Sequence, residues 1–179
     1  NRVLEVNEKN AYALVEPGVN YFDLYNHIEE RKLDVWVDPP DPGWGSVIGN
    51  ALDGGGGWTA YPFRDHFGAH CGMEVVLPDG DIVRTGMGAM PNAPTWNLHK
   101  YGYGPAFDQL FVQSNYGIVT KAGMWLMPTP ECVLGFDVEM DRMEDLGPLI
   151  DTLGPLRREG ILQQSPTIGN WFRAANILT

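Results

Sequence analysis

Positive charge is scarce in this sequence: 12 Lys and Arg face 23 Asp and Glu, a formal net charge of −11. No Lys/Arg-rich run interrupts that balance, so a phosphate-backbone footprint is missing and nucleic acid is not an expected partner. Long apolar runs are also missing. None approaches the roughly 20 residues that cross a bilayer, and the first residues lack the basic-then-apolar order of a secretory signal. A soluble protein without a membrane partner is expected, with the cytoplasm as its compartment. Cysteine is limited to Cys71 and Cys132, too few for a disulfide framework and too far apart for a structural zinc site. A Gly-Lys-Ser/Thr triplet is missing as well, which excludes a P-loop nucleotidase.

What is present is the composition of a packed globular chain, 44% hydrophobic with 22 Gly and 14 Pro. Its length suits one domain. Asn1 opens straight into a strand-like stretch and Thr179 follows the apolar run Trp171 to Leu178, so the expectation is a section of a larger protein.

Turn chemistry punctuates the chain. Val3 to Val6 and Tyr12 to Val15 flank Asn7-Glu8-Lys9-Asn10, which predicts a β-hairpin. Tyr21, Leu24, Tyr25 and Ile28 recur at helical spacing after Asn20, an N-cap, and that helix should reach about Lys32. Leu33 to Val37 is strand-like and stops at Asp38-Pro39-Pro40-Asp41-Pro42-Gly43-Trp44-Gly45, where prolines forbid helix and interior strand. Ser46 then caps a helix start through Leu52, halted at Gly54-Gly55-Gly56-Gly57. Met73 to Leu77 and Asp81 to Arg84 flank Pro78-Asp79-Gly80, a second hairpin. Gly86 to Tyr103 reads as a loop too long for a mere connector. Ile118 to Met127 reads as a strand, Val133 to Met140 alternates like another, and Met143 to Arg158 has helical periodicity. Without regular βαβ alternation, an α+β fold is expected, with a boundary near Pro130.

Several segments have chemical potential. Pro40 to Asn50 joins glycines that let backbone approach a ligand to a helix start whose N–H groups favour an anion. The same features suit an ordinary loop, because Gly43-x-Gly45-x-x-x-Gly49 lacks the βαβ context of a dinucleotide fingerprint. Asp41, braced by Pro40 and Pro42, is either a fixed carboxylate for acid–base work or a turn residue. Arg64-Asp65-His66-x-x-x-His70-Cys71 puts two histidines at i, i+4 on a shared helix face. Glycines and the missing H-E-x-x-H pattern favour packing or hydrogen bonding beside a cofactor over metal binding. Ser114 to Thr120 joins a turn to a strand start whose backbone groups could pair with a heterocycle edge or simply begin a strand. Tyr61, Phe63, Trp96, Tyr101 and Tyr103 either line a pocket for an aromatic ring or anchor loops.

Taken together, NRVLEVNEKNAYALVEPGV, PPDPGWGSVIGNALDGGGGWTAYPFRDHF, GMEVVLPDGDIVRTGMGAMP and YGYGPAFDQLFVQSNYGIVTKAGMWLMP resemble the FAD-binding domain of the 4-phenol-oxidising flavoenzymes, the vanillyl-alcohol oxidase, eugenol oxidase and p-cresol methylhydroxylase family. The resemblance runs from Asn1 to about Pro130. It implies that residues 1–130 form most of the second subdomain of the FAD-binding domain. Residues 131–179 would begin an α+β cap domain that builds the substrate pocket.

The resemblance further implies FAD as cofactor and a para-substituted phenol as substrate, bound as phenolate. A hydride passes from the benzylic carbon to flavin N5 and a p-quinone methide forms. Asp41 falls where the family holds an aspartate beside N5, to stabilise charge or activate water. Pro40, Gly45, Ser46, Gly49, Asn50, Asp53 and Gly54 match the strip that contacts flavin and pyrophosphate. Gly117, Ile118 and Val119 match the strand start touching the cofactor from the other side, and Gly56 and Trp58 match positions lining the substrate cavity. Molecular oxygen or an electron-accepting cytochrome would take the electrons, and a homo-oligomer is expected.

This sequence departs from the family at Gly56, where a bulkier residue is common, at Trp58, where Tyr is, and at Pro42, where Leu is frequent. Tyr61 to Asp65 is one residue longer. The pyrophosphate loop, the residue tethering flavin and the Tyr/Arg phenolate set belong to other parts of such proteins. Two other functions share these features: an oxidoreductase of the same FAD fold acting on a hydroxy acid or sugar, and a non-catalytic, truncated binding module.

Overall fold

The computed structural model describes residues 1–58 and 63–170. It divides into two compact units, Asn1–Leu134 and Gly135–Thr179.

The first unit begins with the hairpin of β1 (Val3–Asn7) and β2 (Tyr12–Val15), paired antiparallel from Val3↔Val15 to Asn7↔Tyr12. Asn20 caps α1 (Tyr21–Arg31): its side chain accepts from the Asp23 amide while the Asp23 carboxylate accepts from the Asn20 amide, the reciprocal capping box. The helix ends where Lys32 turns left-handed at φ 54°. A two-residue strand, β3 (Val35–Trp36), leads into the proline turn, and Ser46 caps α2 (Val47–Leu52) by accepting from the Gly49 amide at 2.9 Å. After the short helix α3 (His66–Ala69) come β4 (His70–Val76) and β5 (Ile82–Arg84). Gly80 sits in their connecting turn at φ 91°, a conformation that favours glycine. The strands β6 (Ile118–Trp125) and β7 (Met127–Pro128) complete the unit.

β1 to β6, with β3 set aside, form one antiparallel sheet in the order β1-β2-β6-β4-β5, while β7 pairs with β3. β6 sits between β2 and β4, so β2 finds its second neighbour more than a hundred residues later in the chain. The helical stripe of α1, Tyr21, Leu24 and Ile28, and the α2 residues Val47, Ile48 and Ala51 share one core with Ala13, Val15, Met73, Val75, Ala122 and Met124 of the sheet. Each fully buried Val, Leu or Met contributes about 1.5–3 kcal/mol from lost water contact. This core fixes the base from which the proline turn, α2 and the glycine loop project.

Trp96 pins the long loop that reads as Gly86 to Tyr103. Its indole lies where a Cβ at Gly72 or Gly88 would have to be, and the Arg84 guanidinium stacks 5.4 Å from its ring. Trp96 is therefore a loop anchor. Phe63 packs against Trp125 at 6.1 Å, Tyr101 and Tyr103 are exposed, and Tyr61 lies outside the described residues.

The second unit is built on α4 (Leu146–Arg158), preceded by a 3₁₀ turn at Met143–Asp145 where Arg142 pairs with Asp145 at 2.7 Å. The alternating stretch Val133 to Met140 is not a strand, contrary to expectation. No partner strand lies beside it among the described residues, and alternation alone cannot satisfy a strand's backbone groups. The run Trp171 to Leu178 lies outside the described residues, and no described helix is long and apolar enough to cross a membrane.

Candidate functional site

Three successive segments fold back on one another in the first unit: the proline turn Asp38–Pro42, helix α2 with its cap, and the glycine loop Gly54–Trp58. The Trp58 indole Nε1–H donates to Asp41 Oδ1 at 2.8 Å, and the Trp58 amide donates to the Pro39 carbonyl at 3.2 Å. Asp41 is exposed, its peptide to Pro42 is cis, and the Pro42 carbonyl accepts from the Gly45 amide at 3.2 Å.

Against these segments lies a buried polar group that sequence reasoning did not assemble. His66 Nε2 is 3.2 Å from Asp38 Oδ2, a close polar contact between two buried side chains. Its Nδ1 meets the Tyr21 hydroxyl at 2.9 Å and also Asn50 Oδ1. Burial, and then the Asp38 charge, push the Tyr21 hydroxyl up, so it stays protonated. The His66 amide donates to the Gly55 carbonyl at 3.0 Å. A Cβ at Gly55 would collide with the Asn50 amide, and one at Gly57 with the Asp38 carboxylate. The glycine loop therefore lies directly on Asn50, His66 and Asp38. His66 was singled out in the sequence for packing or hydrogen bonding, but its partners were not, since Asn50, Asp38 and Tyr21 lie 16, 28 and 45 residues away from it.

The two histidines do not share a helix face. α3 ends at Ala69, His70 is already extended, and its ring faces another carboxylate. His70 Nε2 is 2.8 Å from Asp108 Oδ1, which also accepts from the Thr85 hydroxyl at 2.6 Å. Burial pushes the Asp108 carboxyl up, but the hydrogen bonds from His70 and Thr85 outweigh it and hold it below its usual range. Among the described residues no group of three or more His, Cys, Asp and Glu is arranged to hold a metal ion.

Gly45, Ser46, Gly49 and Asn50 all sit on the cap and first turns of α2. Two of the first three amides there are engaged: Val47 donates to the Val19 carbonyl at 3.0 Å and Gly49 to Ser46 Oγ. Ser46 Oγ in turn donates to the Pro17 carbonyl at 2.5 Å. Asp53 and Gly54 follow, and Gln113 ties the end of α2 to the stretch that precedes β6: its amide side chain donates to the Asp53 carbonyl at 3.0 Å and its backbone N–H to the Leu52 carbonyl at 2.9 Å. Gly117 precedes β6 a few residues on, and Ile118 and Val119 begin it. A Cβ at Gly117 would press into Val75 and the Val76 carbonyl, so this glycine serves close strand packing. Val119 is buried in the core, whereas Ile118 is 72% exposed.

Whether these residues suit a flavin nucleotide is decided by the glycine strip. Gly54, at φ +71°, and Gly56 have nothing within 4 Å of where a Cβ would sit, so the loop leading to Trp58 faces open space at both positions. Trp44, Tyr116 and Ile118 leave large apolar surface uncovered. Open backbone, fixed carboxylate and bare apolar surface fit a planar heterocycle with a polar edge.

The fold and this strip define an FAD-binding domain of α+β class. The sequence pattern of the family described as "FAD binding domain" matches residues 1–86. The chain is 42% identical over 171 residues to the "4-cresol dehydrogenase [hydroxylating] flavoprotein subunit" of Pseudomonas putida, covering 95% of this chain and 32% of that protein. Among solved structures, p-cresol methylhydroxylase with substrate bound superposes with TM-score 0.87 at 42% identity, over 92% of this chain and 32% of that one. The 4-ethylphenol oxidase of Gulosibacter chungangensis in its isoeugenol complex superposes with TM-score 0.77 at 45% identity, over 87% of this chain and 29% of that one. The chain belongs to this FAD-binding flavoprotein family and spans about a third of the length of these relatives.

Proposed function

We propose that the whole protein is an FAD-dependent oxidoreductase that oxidises para-substituted phenols at the benzylic carbon. The observation carrying this reading is Asp41, a carboxylate held by Trp58 at the edge of an open glycine strip, in a chain 42% identical to a 4-cresol dehydrogenase flavoprotein subunit. When bound, FAD supplies the hydride acceptor. Pro40, Gly45, Ser46, Gly49, Asn50, Asp53 and Gly54 would hold it from one side, and Gly117, Ile118 and Val119 from the other.

The substrate binds as phenolate, against groups outside this chain, beside Gly56 and Trp58. Loss of hydride from its benzylic carbon leaves a p-quinone methide, an electrophile at the exocyclic carbon. Asp41 either balances positive charge near the ring or takes the proton from water adding to that carbon; both tasks need a carboxylate that cannot wander. The flanking prolines and the Trp58 bond provide that restraint. Oxygen or an electron-accepting cytochrome then removes the electrons.

The test is anaerobic mixing of the whole, flavin-loaded protein with 4-alkylphenols and, separately, with 2-hydroxy acids and sugars. The visible flavin absorption should bleach with the phenols and persist with the others. Bleaching by a hydroxy acid and not by any phenol would sink the reading. Admitting air afterwards separates the acceptors: prompt recovery of colour assigns oxygen, and slow recovery a cytochrome.

A further inference from the structure

Trp58 stands where lining of the substrate cavity is expected, yet its polar end does not point toward a ligand of its own. Its indole N–H is spent on Asp41 Oδ1 at 2.8 Å. An indole is a donor only, and a carboxylate is an acceptor only, so the direction of this bond admits no alternative. We propose that Trp58 is the positioning residue of the reactive carboxylate: by engaging Oδ1 it directs Oδ2 of Asp41 toward the reacting centre. This inference rests on the reading of Asp41 given above.

Clamps on both sides of the bond support it. The Trp58 amide is tied to the Pro39 carbonyl at 3.2 Å, two residues before Asp41. Gly57 lies on the Asp38 carboxylate, so closely that a Cβ there has no room, and Gly55 is held by the His66 amide at 3.0 Å. Turn and loop are thus sewn together at Pro39–Trp58, Asp38–Gly57 and Asp41–Trp58, a ladder in which the indole bond is the outermost rung. Phe at position 58 would keep the ring and lose the donor. Tyr at this place would end in a hydroxyl at a different distance from the ring's attachment and could not reproduce the indole rung unchanged.

The experiment is a double-mutant cycle on the whole, flavin-loaded protein, with Trp58→Phe, Asp41→Ala and the pair, reading anaerobic flavin reduction by a 4-alkylphenol. Trp58→Phe should lower the limiting rate by about tenfold, the scale of one hydrogen bond to a charged group, with substrate Kd changed by less than about threefold. In the Asp41→Ala background the same substitution should leave the limiting rate unchanged, since neighbours that act through each other are not additive. Equal slowing by Trp58→Phe in both backgrounds, or a loss confined to Kd, makes Trp58 pocket lining only and overturns the proposal. A second arm does not depend on turnover. With tryptophan indole nitrogen labelled, the Trp58 N–H resonance, identified by its loss in Trp58→Phe, should move upfield in Asp41→Ala; a resonance that stays in place also overturns it. If Asp41→Ala reduces at the normal rate, the catalytic reading of Asp41 falls and this inference with it. Slow Asp41→Ala without coupling to Trp58 sinks this inference alone.

Discussion

Asp108 shows how a single buried charge acts on the fold. Its carboxyl, raised by burial but lowered further by His70 and Thr85, ends below its usual range. A depressed carboxyl contributes stability that is complete above the unfolded value, about 3.9, and is lost as pH falls through the folded value. Asp108→Ala should therefore cost about 2 kcal/mol at pH 7, because it leaves His70 Nε2 and the Thr85 hydroxyl buried without their shared acceptor. The gap between the variant and wild type in urea unfolding should narrow below about pH 4; a gap constant down to pH 3 would show that the pair contributes nothing through charge. Asp41, Ser46 and Asn20 were legible as single residues because prolines and capping act within three or four positions. The Tyr21–His66–Asp38 group and the Asp41–Trp58 bond were not, since partners 17 to 45 residues apart leave no local signature.

Local chemistry wrote most of the elements. The hairpin turns at Asn7 to Asn10 and Pro78 to Gly80, the caps of α1 and α2, and the helical stripe of α1 all stand where the sequence places them. The α1 cap is open to a direct check. Asn20→Ala removes the acceptor for the Asp23 amide and should lower stability by about 1 kcal/mol, while Asn20→Ser should recover most of it; equal urea midpoints for all three would remove the cap from the account. What sequence reading missed at this scale follows from non-local pairing. β6 joins β2 to β4 across the middle of the sheet, and no turn signal spans such a distance. Conversely, Val133 to Met140 alternates as strands do but has no neighbouring strand among the described residues, and the expected helix face shared by His66 and His70 dissolves because α3 is only 4 residues long.

At the scale of the molecule, a hairpin-built antiparallel sheet shares its core with α2, which is followed by an open glycine loop whose Trp58 restrains the Asp41 carboxylate. The chain covers 32% of the length of its 4-cresol dehydrogenase relative. The class of fold and the cofactor were legible because several glycine and proline motifs occur jointly; how the proline turn and the glycine loop are tied together became visible only in three dimensions. The central claim is that Asp41 works at the reacting centre. Its most direct test is the anaerobic rate of flavin reduction by a 4-alkylphenol in wild type and Asp41→Asn, with the flavin spectrum confirming that both are loaded. A fall of roughly a hundredfold in the variant is predicted, the scale of a positioned acid–base group; an unchanged rate would contradict the account.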